Sequence, residues 1–282
     1  MKYGSDPKCP KVARNVTPLT EAPLAPPSKA LLALEARTVL EFGSAVLSSP
    51  LLRLAPTGDG GPVLVLPGFV ADDVSTAPLR LTLKTRGYNA HGWSLGRNLG
   101  PTPKVIAGLN NLVEELHDKY GRRVRLVGWS LGGIYARYLA RMHPNSVRQV
   151  VTLGSPFRMR AHDDSNASKL LESMAENFSH EYREHLAVGE YDRTPMPVPS
   201  TAIYSKTDGI VRWEACLEQR TKLTESIEVR GSHSGLGHKP SAVYAVLDRL
   251  AQPGHSWKPF QAPLTLRHMY PKAHHSPSPT TV

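Results

Sequence analysis

VRLVGWSLGGIYARYLARMH, residues 124–143, reads as a buried strand running directly into a helix. VRLVGWS at 124–130 is short and apolar enough to lie inside a sheet, and GGIYARYLARMH at 132–143 carries helical spacing. Between them stands Gly128-Trp129-Ser130-Leu131-Gly132. A serine on so tight a strand-to-helix turn is forced into strained backbone geometry and projects its hydroxyl from the sheet edge. The positions two before and two after it press strand against helix, so they need residues without side chains, and Gly128 and Gly132 supply them. The helix start also offers unpaired N–H groups and the positive end of its dipole to an incipient anion.

Outward from this turn, strand and helix patterns alternate. PVLVLPGF at 62–69 reads as a buried strand after the turn signal GDGG at 58–61. Residues 78–86 suit a helix with Pro78 in its first turn, Tyr88–Trp93 a second strand, and Val105–Lys119 a helix. VRQVVTLGSP at 147–156, TAIYSKTD at 201–208 and Ser226–Arg230 follow as strands, and SAVYAVLDRL at 241–250 as a closing helix. Short apolar strands alternating with amphipathic helices imply an α/β fold with a mostly parallel sheet covered by helices on both faces.

The expected domain spans 29–260. Residues 1–28 are Pro-rich and read as an arm; 29–47 form an amphipathic helix expected to dock its apolar face on the core or to guard a site entrance. The polar stretch 157–200 is a surface insertion, a small helical lid patterned on ASKLLESMAENF. Residues 252–260 begin a Pro- and His-rich wrapping segment that continues through 261–282 into a disordered tail. With 40% hydrophobic and 21% charged residues the chain is globular, and its length buries a core that needs no disulfide staples. Cys9 and Cys216 form neither a framework nor a metal site, although a single bridge between them stays open. His274 and His275 lack further ligand spacing, so neither metal nor cofactor is expected.

The formal charge of +10 could serve nucleic acid or an anionic membrane. The basic residues are scattered, however, and the densest group, Arg122, Arg123 and Arg125, flanks a strand, so no specific nucleic-acid partner is expected. The first residues hold no apolar run, which implies no signal peptide or membrane span, a cytoplasmic address, and at most weak peripheral membrane contact.

A serine nucleophile needs a base, and the base an orienting carboxylate, in the chain order Ser, Asp or Glu, His for a serine on this type of turn. Asp208, expected at the carboxyl end of a late strand, is the candidate acid, with Asp192 in the insertion as runner-up. His233, in Gly231-Ser232-His233-Ser234-Gly235, is the candidate base, with His238 as rival; the glycines around His233 suit a loop approaching the nucleophile closely. The oxyanion donors would be the N–H groups of Leu131 and of Phe69, after Pro67-Gly68, and Phe69 could also line an acyl pocket. Leu171 and Met174 are further candidate substrate contacts, on the insertion.

VLVLPGF, STAPLR, GWSLGRNLGP, LVGWSLGG, VTLGSPF, TDGIVRW and GSHSGLGHKPSAVYAVLDRL together resemble bacterial α/β-hydrolase lipases and esterases, and more closely the actinobacterial group often labelled simply as hydrolase. The resemblance runs from about 29 to 260. It implies a triad of Ser130, Asp208 and His233, oxyanion donors Phe69 and Leu131, no cofactor, and a small-molecule or lipid-like ester as substrate. Pro67 stands where some families carry His, and a single glycine where others carry three, which leaves substrate choice open. Thioesterase, acyltransferase and non-catalytic binding protein remain alternatives on the same fold.

Overall fold

The computed structural model describes residues 23–47, 52–159, 163–180, 195–253 and 257–274. Among the described residues six strands form one sheet: β1 Pro62–Leu66, β2 Asn89–His91, β3 Val124–Trp129, β4 Val147–Leu153, β5 Ser200–Tyr204 and β6 Thr224–Glu228, in the order β2-β1-β3-β4-β5-β6. All five pairings are parallel. The helices are α1 Lys29–Ala33, α2 Thr38–Leu47, α3 Asp73–Thr85, α4 Pro103–Tyr120, α5 Leu131–Met142, α6 Ser168–Glu172 and α7 Pro240–Leu250.

The pleat explains why strand β1 is apolar throughout. Along β1, Val63 and Val65 pack on one face with Leu79 and Leu83 of α3 and Val243 and Leu247 of α7. Leu64 and Leu66 pack on the other with Ile106 and Leu109 of α4 and Tyr135 and Leu139 of α5. Side chains alternate between faces and both faces are covered, so each position of β1 is apolar. Deleting one such leucine would cost about 2–5 kcal/mol, which is why the sheet is a rigid mount for whatever sits on its edge.

The order also locates a crevice. The chain leaves β1 for β2 on one side and crosses back to β3 on the other, so the loops after β1 and β3 diverge. Open parallel sheets bind ligands at such a switch point, beyond the carboxyl ends of the strands. Pro67-Gly68-Phe69 and Ser130 stand there.

Several expectations need correction. The helix expected from Pro78 begins at Asp73, capped by the Asp72 carboxylate, which accepts from Val74 N–H at 2.9 Å; Pro78 lies inside it. An N-cap aspartate that satisfies a first-turn donor outweighs the preference of proline for that turn. The N-terminal helix is broken by a 3₁₀ turn, Leu34–Arg37, and among its described side chains the large apolar ones do not dock on the core. Val39 and Leu40 are each 77% exposed, whereas Glu41 is 7% exposed. Its polar side turns inward because backbone donors of two loops await it there. β4 and β5 end at Leu153 and Tyr204, so Asp208 stands on the loop beyond β5 and not on the strand itself.

The basic group near β3 is partly structural. Arg125 is buried in the sheet, donates to Leu250 O at 3.1 Å, and meets Asp59 at 2.7 Å; Arg122 meets the same carboxylate at 2.6 Å. Burial pushes the Asp59 carboxyl up, but the hydrogen bond and charge of Arg125, with Gly61 N–H and Arg122, hold it at about 2.

Cys216 is buried and carries a free thiol; Cys9, Asp192 and His275 lie outside the described residues, as do 1–22 of the arm, 181–194 of the insertion and 275–282 of the tail. Beyond α7, Phe260, Met269 and Tyr270 pack on the core. His274 contacts Lys206 Nζ at 2.8 Å and lies edge-on to the Trp213 ring. Among the described residues no helix is long and apolar enough to cross a membrane.

Candidate active site

Ser130 caps α5 with φ 53° and ψ −122°, a backbone state that side-chain-bearing residues avoid. The glycines around it are required by contact. A Cβ on Gly128 would lie 2.3 Å from Gly132 O, and one on Gly132 would lie 2.3 Å from Leu66 O. Gly133 is equally confined, by Ser155 Oγ at 1.9 Å. The turn therefore locks β3, α5 and the end of β1 together, and leaves Ser130 half-buried at the crevice.

The loop after β1 approaches from the other side. A Cβ on Gly68 would lie 3.3 Å from Ser130 Cβ, so the two turns touch. Asn98 holds this loop. Its backbone carbonyl accepts from Val70 N–H at 2.7 Å, its N–H donates to Ala71 O at 2.8 Å, and its side-chain amide donates to Pro67 O at 3.0 Å. Tyr135 hydroxyl donates to Asn98 Oδ1 at 3.1 Å, tying the loop to α5. Asn98 is fully buried, so each of these polar groups needs its partner. With the Val70 and Ala71 amides engaged, those of Phe69 and Leu131 have no backbone acceptor among the described residues. Leu131 opens its helix, where first-turn donors have no intrahelical partner.

His233 and Asp208 are brought together. His233 Nδ1 and Asp208 Oδ2 are 2.6 Å apart, both residues buried. An ionised carboxylate only accepts, so Nδ1 carries the proton and, in the neutral ring, Nε2 keeps its lone pair. Asp208 Oδ1 accepts from Ile210 and Val211 N–H at 2.8 and 2.9 Å, which fixes the carboxylate plane. Burial would lower the pKa of His233, but the Asp208 charge and hydrogen bond, followed by the Glu35 charge, raise it above the ordinary histidine value. His233 O accepts from Trp129 Nε1 at 3.0 Å, so its loop is fastened to the residue before Ser130.

His238 is placed differently. It packs edge-on to Trp129, with ring centroids 5.4 Å apart, and burial lowers its pKa despite the nearby Glu41 carboxylate. Leu171 and Phe69 are each partly buried and packed against the apolar cluster that includes Leu131. Met174 follows in the turn after α6, its N–H donating to Leu171 O at 3.2 Å. Phe157, also on the insertion, is buried beneath the Arg137 guanidinium, 3.8 Å from its ring centroid, and so packs in the body of the protein.

Sequence reasoning missed three contributors. Asn98 is one. Gly154, at φ +54°, is another: a Cβ there would lie 3.2 Å from His233 Nδ1 and 3.3 Å from Asp208 Oδ2. The signal was a glycine directly after strand β4. The third is Glu35, whose carboxylate reaches the backbone of both the Asp208 and His233 loops.

Comparison with known proteins agrees with this architecture. A family model described as alpha/beta hydrolase fold matches residues 69–190. A pimeloyl-[acyl-carrier protein] methyl ester esterase of Shewanella woodyi is 24% identical over 135 residues, 48% of this chain and 52% of that protein. One of the same name from Neisseria meningitidis is 38% identical over 64 residues, 22% of this chain and 25% of that protein. The chain thus spans about half the length of the first of these curated relatives and a quarter of the second. The crystal structure of Aspergillus fumigatus lipase B aligns with a TM-score of 0.52 at 18% identity, covering 71% of this chain and 57% of that one. Sheet order, the glycine-confined serine turn and these likenesses converge: this chain has the α/β-hydrolase fold.

Proposed function

We propose that the chain is a serine hydrolase of carboxylic esters, with Ser130 as nucleophile, His233 as base and Asp208 as the carboxylate that orients it. The observation carrying this reading is the buried 2.6 Å His233–Asp208 pair on the sheet edge where Ser130 stands strained at φ 53°. In the first half-reaction Ser130 Oγ attacks the ester carbonyl as its proton passes to His233 Nε2. The Phe69 and Leu131 N–H groups stabilise the tetrahedral oxyanion. As the intermediate collapses, the C–O bond to the leaving alcohol breaks and the imidazolium gives that oxygen its proton. Water then loses a proton to His233 and attacks the acyl-Ser130 carbonyl; collapse releases the acid and returns the proton to Ser130.

The curated relatives are named for a methyl ester of a carboxylic acid, which is the same bond class. A small-molecule or lipid-like ester suits a site whose candidate contacts, Phe69 and Leu171, are partly buried apolar side chains. Hydrolysis of p-nitrophenyl esters from acetate to long-chain acyl groups, beside matched thioesters and an added alcohol acceptor, tests the reaction. Ester hydrolysis exceeding both thioester cleavage and transfer supports it; inertness toward all oxygen esters removes it.

Two results follow within this reading. Asp208→Asn should cost roughly 10⁴-fold in kcat, because an amide no longer selects the tautomer with Nδ1 protonated. Near-wild-type rates in that variant would deny Asp208 its role. Leu171→Ser with Met174→Ser should reduce kcat/KM for long acyl esters more than for acetate, by ~1–3 kcal/mol of differential binding for each apolar side chain removed. Equal losses for short and long esters would show that the insertion does not touch the acyl chain.

A further inference from the structure

We infer that Glu35 is a positioning residue, joining the loop of the acid to the loop of the base through one carboxylate and so holding Asp208 and His233 in register. The inference rests on the triad reading above and extends it to the N-terminal segment.

Glu35 Oε1 accepts from Gly209 N–H at 2.9 Å and from His233 N–H at 2.8 Å, while Oε2 accepts from Ser234 N–H at 3.0 Å. Gly209 directly follows the acid, and His233 is the base itself. Three backbone donors from two loops thus converge on one ionised group, the kind of charge-assisted contact that is shorter and stronger than a neutral one. The roots of these loops are already joined, since Ser205 Oγ donates to Gly231 O at 2.7 Å. Glu35 joins their tips, where the reacting groups stand.

The neighbouring side chains repeat the pattern. Arg37 donates to Thr207 O at 2.6 Å and to Thr207 Oγ1 at 3.0 Å, on the acid loop. Glu41 accepts from Ser232 N–H at 3.2 Å and from the Ser232 hydroxyl, on the base loop. A Cβ on Gly209 would lie 2.3 Å from Leu31 O, so the backbone of this segment lies directly on the acid loop and requires glycine there. The inward polar face of the N-terminal helix has its explanation in these contacts.

Glu35 also acts by charge. The carboxylates facing the His233 imidazole are Asp208, bonded to it, and Glu35, behind its backbone; Glu41, one residue away at Ser232, is offset by Arg37 at 3.5 Å and Lys239 at 3.7 Å. A second negative charge favours the imidazolium that forms in both half-reactions.

The test uses the full chain with Glu35→Gln and Glu35→Ala. The readouts are NMR titration of the His233 imidazole, the pH profile of kcat/KM for a p-nitrophenyl ester, and thermal unfolding. Glu35→Gln should lower the His233 pKa and move the acid limb of the profile to lower pH, with kcat reduced several-fold and KM little changed. Glu35→Ala, losing all three bonds, should lose about 10- to 100-fold in kcat, the scale of a misplaced catalytic group. An unmoved His233 titration in Glu35→Gln overturns the inference, as does a kcat that falls only in proportion to the folded fraction. Because the titration is independent of turnover, an inert wild-type protein would remove the proposed reaction while the NMR shift still decided the role of Glu35.

Discussion

Ser130→Ala is expected to lose on the order of 10⁶-fold in kcat for ester hydrolysis while unfolding at essentially the wild-type temperature. The strain at this position is a property of the turn, and alanine inherits the same φ of 53° while losing only the hydroxyl. The packing that creates the turn comes from Gly128, Gly132 and Gly133, which the substitution leaves untouched. A variant that keeps even a tenth of wild-type activity would place the nucleophile elsewhere. Circular dichroism and thermal melts on the same preparation separate lost chemistry from lost fold.

His233→Ala should be about as damaging as removing the serine, whereas His238→Ala should leave kcat within a few-fold of wild type. Residues that act as one unit give similar losses when removed singly. The two histidines lie on the same loop, but His233 Nδ1 stands 2.6 Å from the buried Asp208 carboxylate, and the two environments shift them in opposite directions: His233 upward, His238 downward. His238 is a packing partner of Trp129, so its loss should appear in the melting temperature before it appears in turnover. Inactivity of His238→Ala with full activity of His233→Ala would reverse the assignment.

The sheet was legible because buried parallel strands are rich in apolar residues, as PVLVL and VRLVGW are, and because the interposed helices carry their own period. The serine turn was legible because only glycine fits where β3, α5 and β1 meet, and those glycines occur at a fixed spacing. Asp208 and His233 could be nominated from chain order, but nothing in the sequence measures the 2.6 Å between them.

Glu35 and Glu41 were not legible for a physical reason. Carboxylates on an amphipathic helix ordinarily face water, and periodicity cannot reveal that backbone amides from residues 209 and 232–234 will converge on that polar face. Asn98 was hidden likewise: a polar residue in a loop reads as solvent-facing until its bonds to Pro67, Val70, Ala71, Gly100 and Tyr135 are seen. Helix boundaries failed at Pro78, where the Asp72 cap set the start instead.

The central claim is that Ser130 is a nucleophile activated by its neighbours, and covalent labelling tests it most directly. The folded chain would be treated with a fluorophosphonate and the modified residue mapped by peptide mass spectrometry. The account predicts a single phosphonylated residue, Ser130, with labelling slowed strongly by His233→Ala and abolished by Ser130→Ala. No label on the folded wild-type chain, or equal labelling of wild type and Ser130→Ala, would contradict it.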